Sequence, residues 1–538
     1  MPFLRIEKKS SGIYLRILES YRDATGKSTN RILYSLGKID DYTPEQLRRI
    51  GIKLYELGGG DIKVFLNGTV EELARYNYGY VQVFGKAMKH YGLDAVIHRI
   101  QRSSKIQFDL YNATLLMLIE RLHDPCSKRS NWFNQKEYLG IEPTELHYLY
   151  RTLDKLADNN KNIQRQIFQT GRDLFNQQLD VVFYDVTTLY FESELEVEGT
   201  LRQKGFSKDG KIGNTQILFC MLIDKDKTPI GYRIFKGNTF EGHTFQSALD
   251  DLKKEYKIDK IVVVADRGML SKNNIKLVED NGYEFIIGER IKSLPRTIQK
   301  TLLDKSNYKH EWVYADNEDD QIVIQYATLF YKGKIIIATY SHKRAKKDKA
   351  DREQKLKTAA VLLKNPSLIN KKASRYYLTS AGNETYQLNE DKAKADEAYD
   401  GILAIATNTT SLPHTSILEH YKQLYKIEHT FRTFKSHLEM RPMFHWTDKR
   451  IEGHICLCYI AYTLLNYVQQ KLIAARNPIS EKSLRDILDH MQVSLLQHND
   501  EQIYLRSKPT EGQALLQQNI GVKLLPPLLP VPQLDNYL

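Results

Sequence analysis

Residues 1 to about 60 alternate between apolar and polar positions, in FLRIEKKSSGIYLRILESYRD and again in NRILYSLGKI. Strict alternation is typical of half-buried strands, and Gly12 and Gly26 lie where such strands would turn. The pattern predicts a small antiparallel sheet, so we place a β-rich unit at 1–68. Its outward positions include many Lys and Arg side chains, which favour either a DNA-contacting module or an ordinary solvated basic face.

Between residues 69 and 178 the apolar positions change period and recur every three or four residues, as in NATLLMLIERLHD. This is the spacing of an amphipathic helix, and Ser127 in DPCSK is a candidate cap after a break. The pattern predicts a helical domain at 69–178. Such a unit could bind DNA ends or pair subunits, although packing alone explains the pattern equally well.

Two predicted strands each present one aspartate. The run DVVFYDVTTLYFES is dense in β-branched and aromatic residues, and alternation puts Asp185 on the same face as Phe183 and Leu189. The run IVVVA is typical of a strand buried on both faces, and Asp266 follows it directly. A mid-strand carboxylate such as Asp185 destabilises the fold unless it is paired or binds a metal. Asp266 lies at the carboxyl end of its strand, where open α/β sheets place their chemistry. Both aspartates are therefore site candidates, against the alternatives of a surface Asp and a turn cap.

The segments around these strands predict an α/β core that is interrupted by an insertion. TQILFCMLIDKD and TPIGYRIFKGN predict a meander with the first strand, and we assign 179–289 to the first part of the core. Residues 290–399 read as strands with charged helices, which predicts an inserted β-rich domain. The second part of the core, 400–475, begins with the buried-strand pattern DGILAIATN, and 476–538 is predicted as a helical tail.

Residues 416–441, SILEHYKQLYKIEHTFRTFKSHLEMR, predict one helix with Glu428 among basic and aromatic neighbours. Tyr421, Glu428 and Lys435 recur at a spacing of seven, which is close to two helical turns. The prediction is a single stripe that carries a tyrosine, a carboxylate and a lysine.

Composition narrows the class of partner. The 538 residues carry a formal charge of +12, which favours a polyanion such as DNA. The chain opens with MPFLRIEKKS, without the apolar run of a signal peptide, and ICLCYIAYTLL at 455–465 is shorter than the ~20 residues of a membrane-spanning helix. We therefore expect a soluble cytoplasmic protein with no membrane partner. Its four cysteines are too few and too scattered for a disulfide framework or a zinc site.

Two strand aspartates followed by a helical glutamate form an ordered set that suits phosphodiester chemistry. Three carboxylates can surround two divalent cations about 3.5 to 4 Å apart, one activating the nucleophile and one stabilising the leaving oxygen. Hard oxygen ligands select Mg²⁺ or Mn²⁺. Such a site should depend on metal, because the carboxylates would otherwise repel one another.

The chain resembles the insertion-sequence DDE transposases, in the branch with a Tyr-x2-Arg-x3-Glu-x6-Lys signature. The signature reads YKQLYKIEHTFRTFK here, and YDVTTLYFE, ADRGM and FRTFKSHLEMRPMFH also resemble that branch. One position departs, because Leu424 stands where the signature has arginine. The match covers roughly 110 to 470 well, and the motifs are specific as a set.

The resemblance implies an RNase H-like catalytic core, a mixed sheet flanked by helices, with an inserted domain. Asp185, Asp266 and Glu428 would be the catalytic metal ligands for Mg²⁺, with Mn²⁺ as a substitute. Tyr421 and Lys435 would contact DNA phosphates. Two further arginines are assigned to DNA binding, Arg441 and also Arg432, which could replace the charge missing at Leu424.

The implied function is a transposase that binds the terminal inverted repeats of its element, cleaves the DNA ends and joins the 3′-hydroxyls to target DNA. We expect a homodimer on paired ends, in the bacterial cytoplasm and associated with the nucleoid. Two alternatives are an RNase H-like nuclease without strand transfer and a non-catalytic DNA-binding relic. Trp446 is a candidate for stacking on an unpaired base, although the sequence favours a core position for it.

Overall fold

The computed structural model divides the chain into two compact units, one formed by Met1–Leu73 with Leu496–Ile503 and one formed by Ala74–Leu495 with Tyr504–Leu538. The structure describes residues 2–22, 26–57, 70–171, 181–206, 210–211, 213–256, 258, 261–266, 271–317, 320–363, 376–382, 385–498 and 501–537. Among these residues, no helix is long and apolar enough to cross a membrane.

The N-terminal part of the first unit is a three-stranded antiparallel sheet, as the alternating pattern predicted, and a helix that the pattern did not predict follows it. Its elements are β1 (Pro2–Lys9), β2 (Gly12–Arg22), β3 (Ser28–Lys38) and α1 (Pro44–Leu57). Two of its arginines form ion pairs within the sheet, Arg16 with Glu7 at 3.0 Å and Arg31 with Glu19 at 2.6 Å. Its binding of DNA stays a prediction.

The second unit begins with helices, as the three- and four-residue spacing predicted. After β4 (Val70–Asn77), its helices are α2 (Gly79–His90), α3 (Leu93–Ser103), α4 (Leu110–His123), α5 (Lys128–Asn134), α6 (Leu146–Asp158) and α7 (Asn160–Gly171). Side-chain caps fix two of the helix starts. Asp109 accepts from the Asn112 amide at 3.0 Å, and Ser127 accepts from the Ser130 amide at 3.1 Å, which confirms the predicted cap.

A mixed sheet forms the centre of this unit. Its first strands are β5 (Val181–Tyr190), β6 (Gln203–Lys204), β7 (Thr215–Ile223), β8 (Pro229–Lys236), β9 (Val262–Ala265) and β10 (Glu284–Glu289). Strands β5, β7 and β8 form the predicted antiparallel meander, while β9 lies parallel to both β5 and β10. Helices α8 (Glu241–Lys254) and α9 (Lys272–Asp280) follow β8 and β9.

The segment between the two parts of the core extends this sheet. Its elements are α10 (Arg296–Leu303), β11 (His310–Asn317), β12 (Asp320–Tyr331), β13 (Lys334–Tyr340), α11 (His342–Leu363), β14 (Leu378–Gly382), β15 (Thr385–Leu388) and α12 (Glu390–Glu397). Strand β13 pairs with β16 (Ile402–Thr407), which pairs antiparallel with β10. Three strands of the predicted insertion therefore continue the core sheet, because the apolar β13 has a buried partner in β16.

The two faces of the sheet have separate hydrophobic cores. On one face Phe183 of β5 packs in the same cluster as Ile427 and Phe431, which belong to the Glu428 segment, residues 416–441. On the other face Tyr184 meets Phe245 of α8, with ring centroids 4.9 Å apart. Alternation along β5 thus sends neighbouring side chains into different cores.

The C-terminal part combines helices with strands. Its elements are α13 (His414–Lys422), α14 (Tyr425–Arg432), a π-helical turn (Thr433–His437), α15 (Asp448–Ala474), α16 (Glu481–Asp489), β17 (Gln492–His498), β18 (Glu501–Arg506), α17 (Glu511–Ile520) and β19 (Leu528–Pro530). The prediction of a helical tail at 476–538 is therefore wrong in part, because β17, β18 and β19 lie within this range. Positions 491, 493 and 495 are apolar and alternate with polar positions, as in a strand. The same run also fits helical spacing, so the pattern alone did not reveal the strand.

A buried carboxylate joins the loop after α4 to the helices around it. Glu120, which is 1% exposed, accepts hydrogen bonds from four groups. The donors are the Tyr138 hydroxyl at 2.6 Å, the Asn131 and Asn134 amides at 3.0 and 3.1 Å, and the Cys126 thiol at 3.2 Å. A buried carboxylate with this many donors is stabilised in place rather than destabilising.

Two cations beside Glu120 extend the network to the end of the Glu428 segment. The Arg121 guanidinium donates to the carbonyl oxygens of Leu438 and Cys126, at 3.2 and 3.1 Å. Lys128 is buried and donates to the Asn131 side chain at 3.0 Å. Burial, with repulsion from Arg121, lowers the pKa of the Lys128 ammonium to about 7.

The free energy of unfolding should therefore rise with pH, because Lys128 has a lower pKa in the folded chain than in the unfolded chain. An unfolded lysine has a pKa of about 10.4, so between pH ~7 and ~10 the unfolded chain binds one more proton than the folded chain. Replacing Lys128→Met should remove this rise. The measurement is the free energy of unfolding against pH for wild type and variant; the control Lys136→Met, at an exposed position on the same segment, should keep the wild-type slope. Equal slopes in Lys128→Met and wild type would contradict this role for the buried ammonium.

Helices α6 and α15 cross so closely at Gly453 that no side chain fits there. A Cβ at this position would overlap the Leu153 carbonyl oxygen and lie 2.6 Å from its carbonyl carbon. Backbone cannot move aside as a side chain can, so we expect Gly453→Ala to destabilise the protein by about 3 kcal/mol or more. The control is Gly85→Ala in α2, where the nearest atom to an added Cβ lies at 3.9 Å. This variant should be neutral or gain about 0.5 to 1 kcal/mol of helix stability. Equal unfolding midpoints for the two variants would contradict the close crossing.

Candidate active site

The three carboxylates predicted from the sequence line one cavity of about 670 Å³. Asp185 is the half-buried fifth residue of β5, in a strand that is otherwise almost entirely buried. Asp266 follows β9 directly and is exposed, and Glu428 is exposed on α14. The structure therefore brings together residues that are far apart in the sequence.

Strand register explains why the two aspartates meet. Strands β5 and β9 are parallel, and Tyr184 lies opposite Ala265. The residue that follows each of these two is an aspartate, Asp185 after Tyr184 and Asp266 after Ala265. Neighbouring strands lie about 4.8 Å apart. The Asp185 side chain also accepts from the Val186 amide at 2.7 Å, which constrains its orientation.

Packing of α14 against the sheet brings the third carboxylate to this edge. Ile427 and Phe431 are buried, and the Phe431 ring lies 6.0 Å from the Phe219 ring of β7. Glu428 follows Ile427, so burial of the apolar side of α14 leaves the carboxylate facing the cavity. The apolar period of this helix thus determines where Glu428 points.

The prediction of one continuous helix at 416–441 is wrong. Helix α13 ends at Lys422, α14 begins at Tyr425, and a π-helical turn covers Thr433–His437. Tyr421, Glu428 and Lys435 consequently belong to three different helical segments. The π-helical turn has a tertiary anchor, because Thr433 donates to the Glu481 carboxylate of α16 at 2.8 Å. Such turns interrupt α-helices frequently at functional sites.

The other predicted DNA contacts are only partly brought to the cavity. Tyr421 and Leu424 line it, whereas Arg432, Lys435 and Arg441 do not. Arg432 is exposed at the end of α14. Its replacement of the missing signature arginine stays a prediction, and so do the DNA contacts of Lys435 and Arg441.

Trp446 does not occupy a core position, so that interpretation of the sequence is wrong. Its side chain is 62% exposed, and the Arg202 guanidinium carbon lies 4.3 Å from its ring centroid. Arg202 itself is buried and also lies over the Phe191 ring, at 5.1 Å. Because the ring is exposed, the stacking of Trp446 on an unpaired base stays a prediction.

The three side chains fit divalent cations in donor type and in location. All are carboxylates, which are the ligands preferred by Mg²⁺ and Mn²⁺, and all line one cavity. Within the described ranges, however, no group of three His, Cys, Asp or Glu side chains is gathered closely enough to hold a metal ion. The carboxylates would have to draw together to share one. Residues 267–269 of the ADRGM motif lie outside the described residues.

The cavity also has residues that the sequence patterns did not identify as functional. Strand β11 contributes Trp312 and Tyr314, and α11 contributes Lys343, Arg344 and Lys347. The Lys422 ammonium lies 3.3 Å from the centroid of the Tyr314 ring. One sequence signal was present, because HKRAKKDK concentrates cations at the start of a helix, where they are unfavourable for the helix dipole.

Two histidines that follow Glu428 in the sequence, His429 and His437, have lowered pKa values. Burial lowers the pKa of His429, and the Lys227 ammonium lowers it further. Burial likewise lowers the pKa of His437, against the opposing effect of the Glu481 carboxylate. His437 lies 3.3 Å from that carboxylate, so the contact between His437 and Glu481 also anchors the π-helical turn.

Comparison with known proteins gives two family matches. The family described as Transposase DDE domain matches residues 176–464, which is more than half of the chain, and this range includes all three carboxylates. The family described as IS1634 family transposase, N-terminal domain, matches residues 4–56. No curated protein matches the chain.

One solved structure that resembles the chain is a cryo-EM structure of the piggyBac transposase synaptic complex with hairpin DNA. The sequences are 10% identical, and the match covers 85% of this chain and 84% of that chain with a TM-score of 0.36. A likeness this weak adds nothing to the family matches.

Proposed function

Because the chain belongs to the insertion-sequence DDE transposases, we propose that it binds the terminal inverted repeats of such an element and cleaves DNA phosphodiester bonds at its ends. It then joins the 3′-hydroxyl ends to target DNA. The observation that carries this proposal is the cavity shared by Asp185, Asp266 and Glu428.

The strand order supports an RNase H-like catalytic core. The order β8-β7-β5-β9-β10 combines an antiparallel meander with two parallel strands, and it puts the two aspartate strands side by side. In open sheets with parallel strands, chemistry lies outside the carboxyl ends of those strands. Asp266 occupies such a position at the end of β9.

Asp185, Asp266 and Glu428 would hold the metal ions, Mg²⁺ or in its place Mn²⁺. When bound, two such cations activate the attacking oxygen and stabilise the leaving oxygen. Asp185 and Asp266 are held by neighbouring strands and Glu428 by a packed helix, so these side chains can orient the ions relative to the strand being cut. Water attacks first, and the 3′-hydroxyl attacks target DNA afterwards.

The DNA partner is supported by charge. The chain carries +12 overall, and Tyr421 lines the cavity with the carboxylates. We assign phosphate contacts to Tyr421 and Lys435, with Arg432 and Arg441 as further contacts. We also propose a homodimer on paired ends, acting on DNA in the bacterial nucleoid.

Replacing Asp185→Asn should reduce Mg²⁺-dependent cleavage of end-containing DNA by about 100-fold or more, because charge stabilisation by a metal is worth several kcal/mol. DNA binding in Ca²⁺ should change little. The matched control is Asp280→Asn, an exposed position on α9 that does not line the cavity, and it should cleave like wild type. Unchanged cleavage in Asp185→Asn would refute the site.

Strand transfer separates a transposase from a nuclease of the same fold. Wild-type protein supplied with pre-cut ends and a target plasmid should join the 3′-hydroxyl strand to the plasmid, because the same carboxylates serve both steps. The product is measured as a labelled strand attached to plasmid DNA. Cleavage without joined product would favour the nuclease, and absence of both with retained binding would favour a non-catalytic relic.

A further inference from the structure

The cavity is lined by side chains of opposite charge. Asp185, Asp266 and Glu428 line it together with Lys343, Arg344 and Lys347 of α11. No pattern in the family signature includes these three cations, which lie in the segment between Asp266 and Glu428. A site that held only metal ions would gain nothing from them, because cations repel cations.

The cations of α11 occupy positions where they do not stabilise the helix. The first eight residues of α11, HKRAKKDK, include five Lys or Arg and one Asp, at the end where the helix dipole favours negative charge. Within the helix, Arg344 lies 3.6 Å from Asp348, which offsets part of this charge. The concentration of charge therefore suits an external anion better than it suits the fold.

Only one side of α11 faces the cavity. With about 3.6 residues per turn, Lys343 and Lys347 lie one above the other, while Lys349 lies about 200° around from Lys347. Lys343 and Lys347 line the cavity, and Lys349 is exposed and does not. The same helix thus provides both the test positions and their controls.

We propose that Lys343, Arg344 and Lys347 bind phosphates of the DNA strand that enters the cavity. The binding of this DNA strand and the binding of divalent cations therefore favour each other. This inference rests on the proposed function for its partner, DNA. The three side chains are binding residues, which neutralise the strand next to the carboxylates that would hold the ions. The cavity, at about 670 Å³, has room for at least one nucleotide.

Coupling follows from the charges. Without DNA, Lys343 and Lys347 repel a divalent cation that the carboxylates of the same cavity hold, and this weakens its binding. The phosphates of a bound strand offset that repulsion, so each ligand raises the affinity for the other by the same factor. The two lysines thereby disfavour metal loading in the absence of substrate.

The first test is the salt dependence of DNA binding in Ca²⁺, with full-length protein and a duplex that ends in a single-stranded overhang. Each lost phosphate contact reduces the slope of log K against log salt by about 0.7 to 0.9. Lys343→Gln/Lys347→Gln should lower the slope by about 1.4 to 1.8. The control Lys349→Gln/Lys355→Gln removes the same charge from exposed positions of α11 outside the cavity, and it should keep the wild-type slope. Equal slopes for the two double variants would overturn the phosphate assignment.

The second test is Mn²⁺ binding to the DNA-free protein, measured from the EPR signal of free Mn²⁺. The loss of two repelling charges should tighten Mn²⁺ binding about two- to tenfold in Lys343→Gln/Lys347→Gln. The Lys349→Gln/Lys355→Gln control should bind Mn²⁺ like wild type. An unchanged or weaker affinity in the cavity variant would overturn the coupling.

These results are independent of the proposed chemistry. If wild-type protein fails to cleave or join DNA but the cavity variant shows the reduced slope and the tighter Mn²⁺ binding, the role of α11 is supported and the proposed function fails. If wild-type protein cleaves and joins DNA while the slopes are equal, the proposed function stands and the role of α11 fails.

Discussion

The parallel pairing of β5 with β9 is the interaction on which the candidate site depends. Because Tyr184 lies opposite Ala265, the carboxylates of Asp185 and Asp266 follow at the same level of adjacent strands. Like charges on neighbouring strands repel each other, and side chains on mobile loops would move apart. Here the backbone hydrogen bonds of two strands buried on both faces of the sheet oppose that repulsion. The fold can therefore keep a negative edge ready for cations.

The third carboxylate depends on contacts made over long sequence distances. The Thr430 and Tyr462 hydroxyls share a hydrogen bond of 2.8 Å, which ties α14 to the central helix α15. Thr433 is tied to Glu481, and the Leu438 carbonyl accepts from Arg121. Helices before the sheet and helices after it thus hold the Glu428 segment from several directions. Their role in the site is to fix its geometry, whatever other partners their surfaces bind.

The segment between Asp266 and Glu428 serves the site as well as the sheet. Its strands continue the core through β13 and β16, and this continuity brings β11 and the start of α11 to the cavity. The carboxylates that would hold cations therefore share one cavity with ammonium and guanidinium groups that would hold phosphates. A phosphodiester in a two-metal site needs both kinds of charge, since its own negative charge must be balanced on the side away from the ions.

The sequence by itself determined the three carboxylates, the strands that carry two of them, the helical region and the family, because short-range periods and motif spacing are local properties of the chain. Only the tertiary structure decided which elements meet. It interrupted the predicted helix at 416–441, because contacts such as Thr433 to Glu481 outweigh local helical preference. It also exposed Trp446, joined β13 to β16 and brought Lys343 and Lys347 to the cavity. No local pattern encodes these outcomes, since each depends on partners that are distant in sequence and near only after folding.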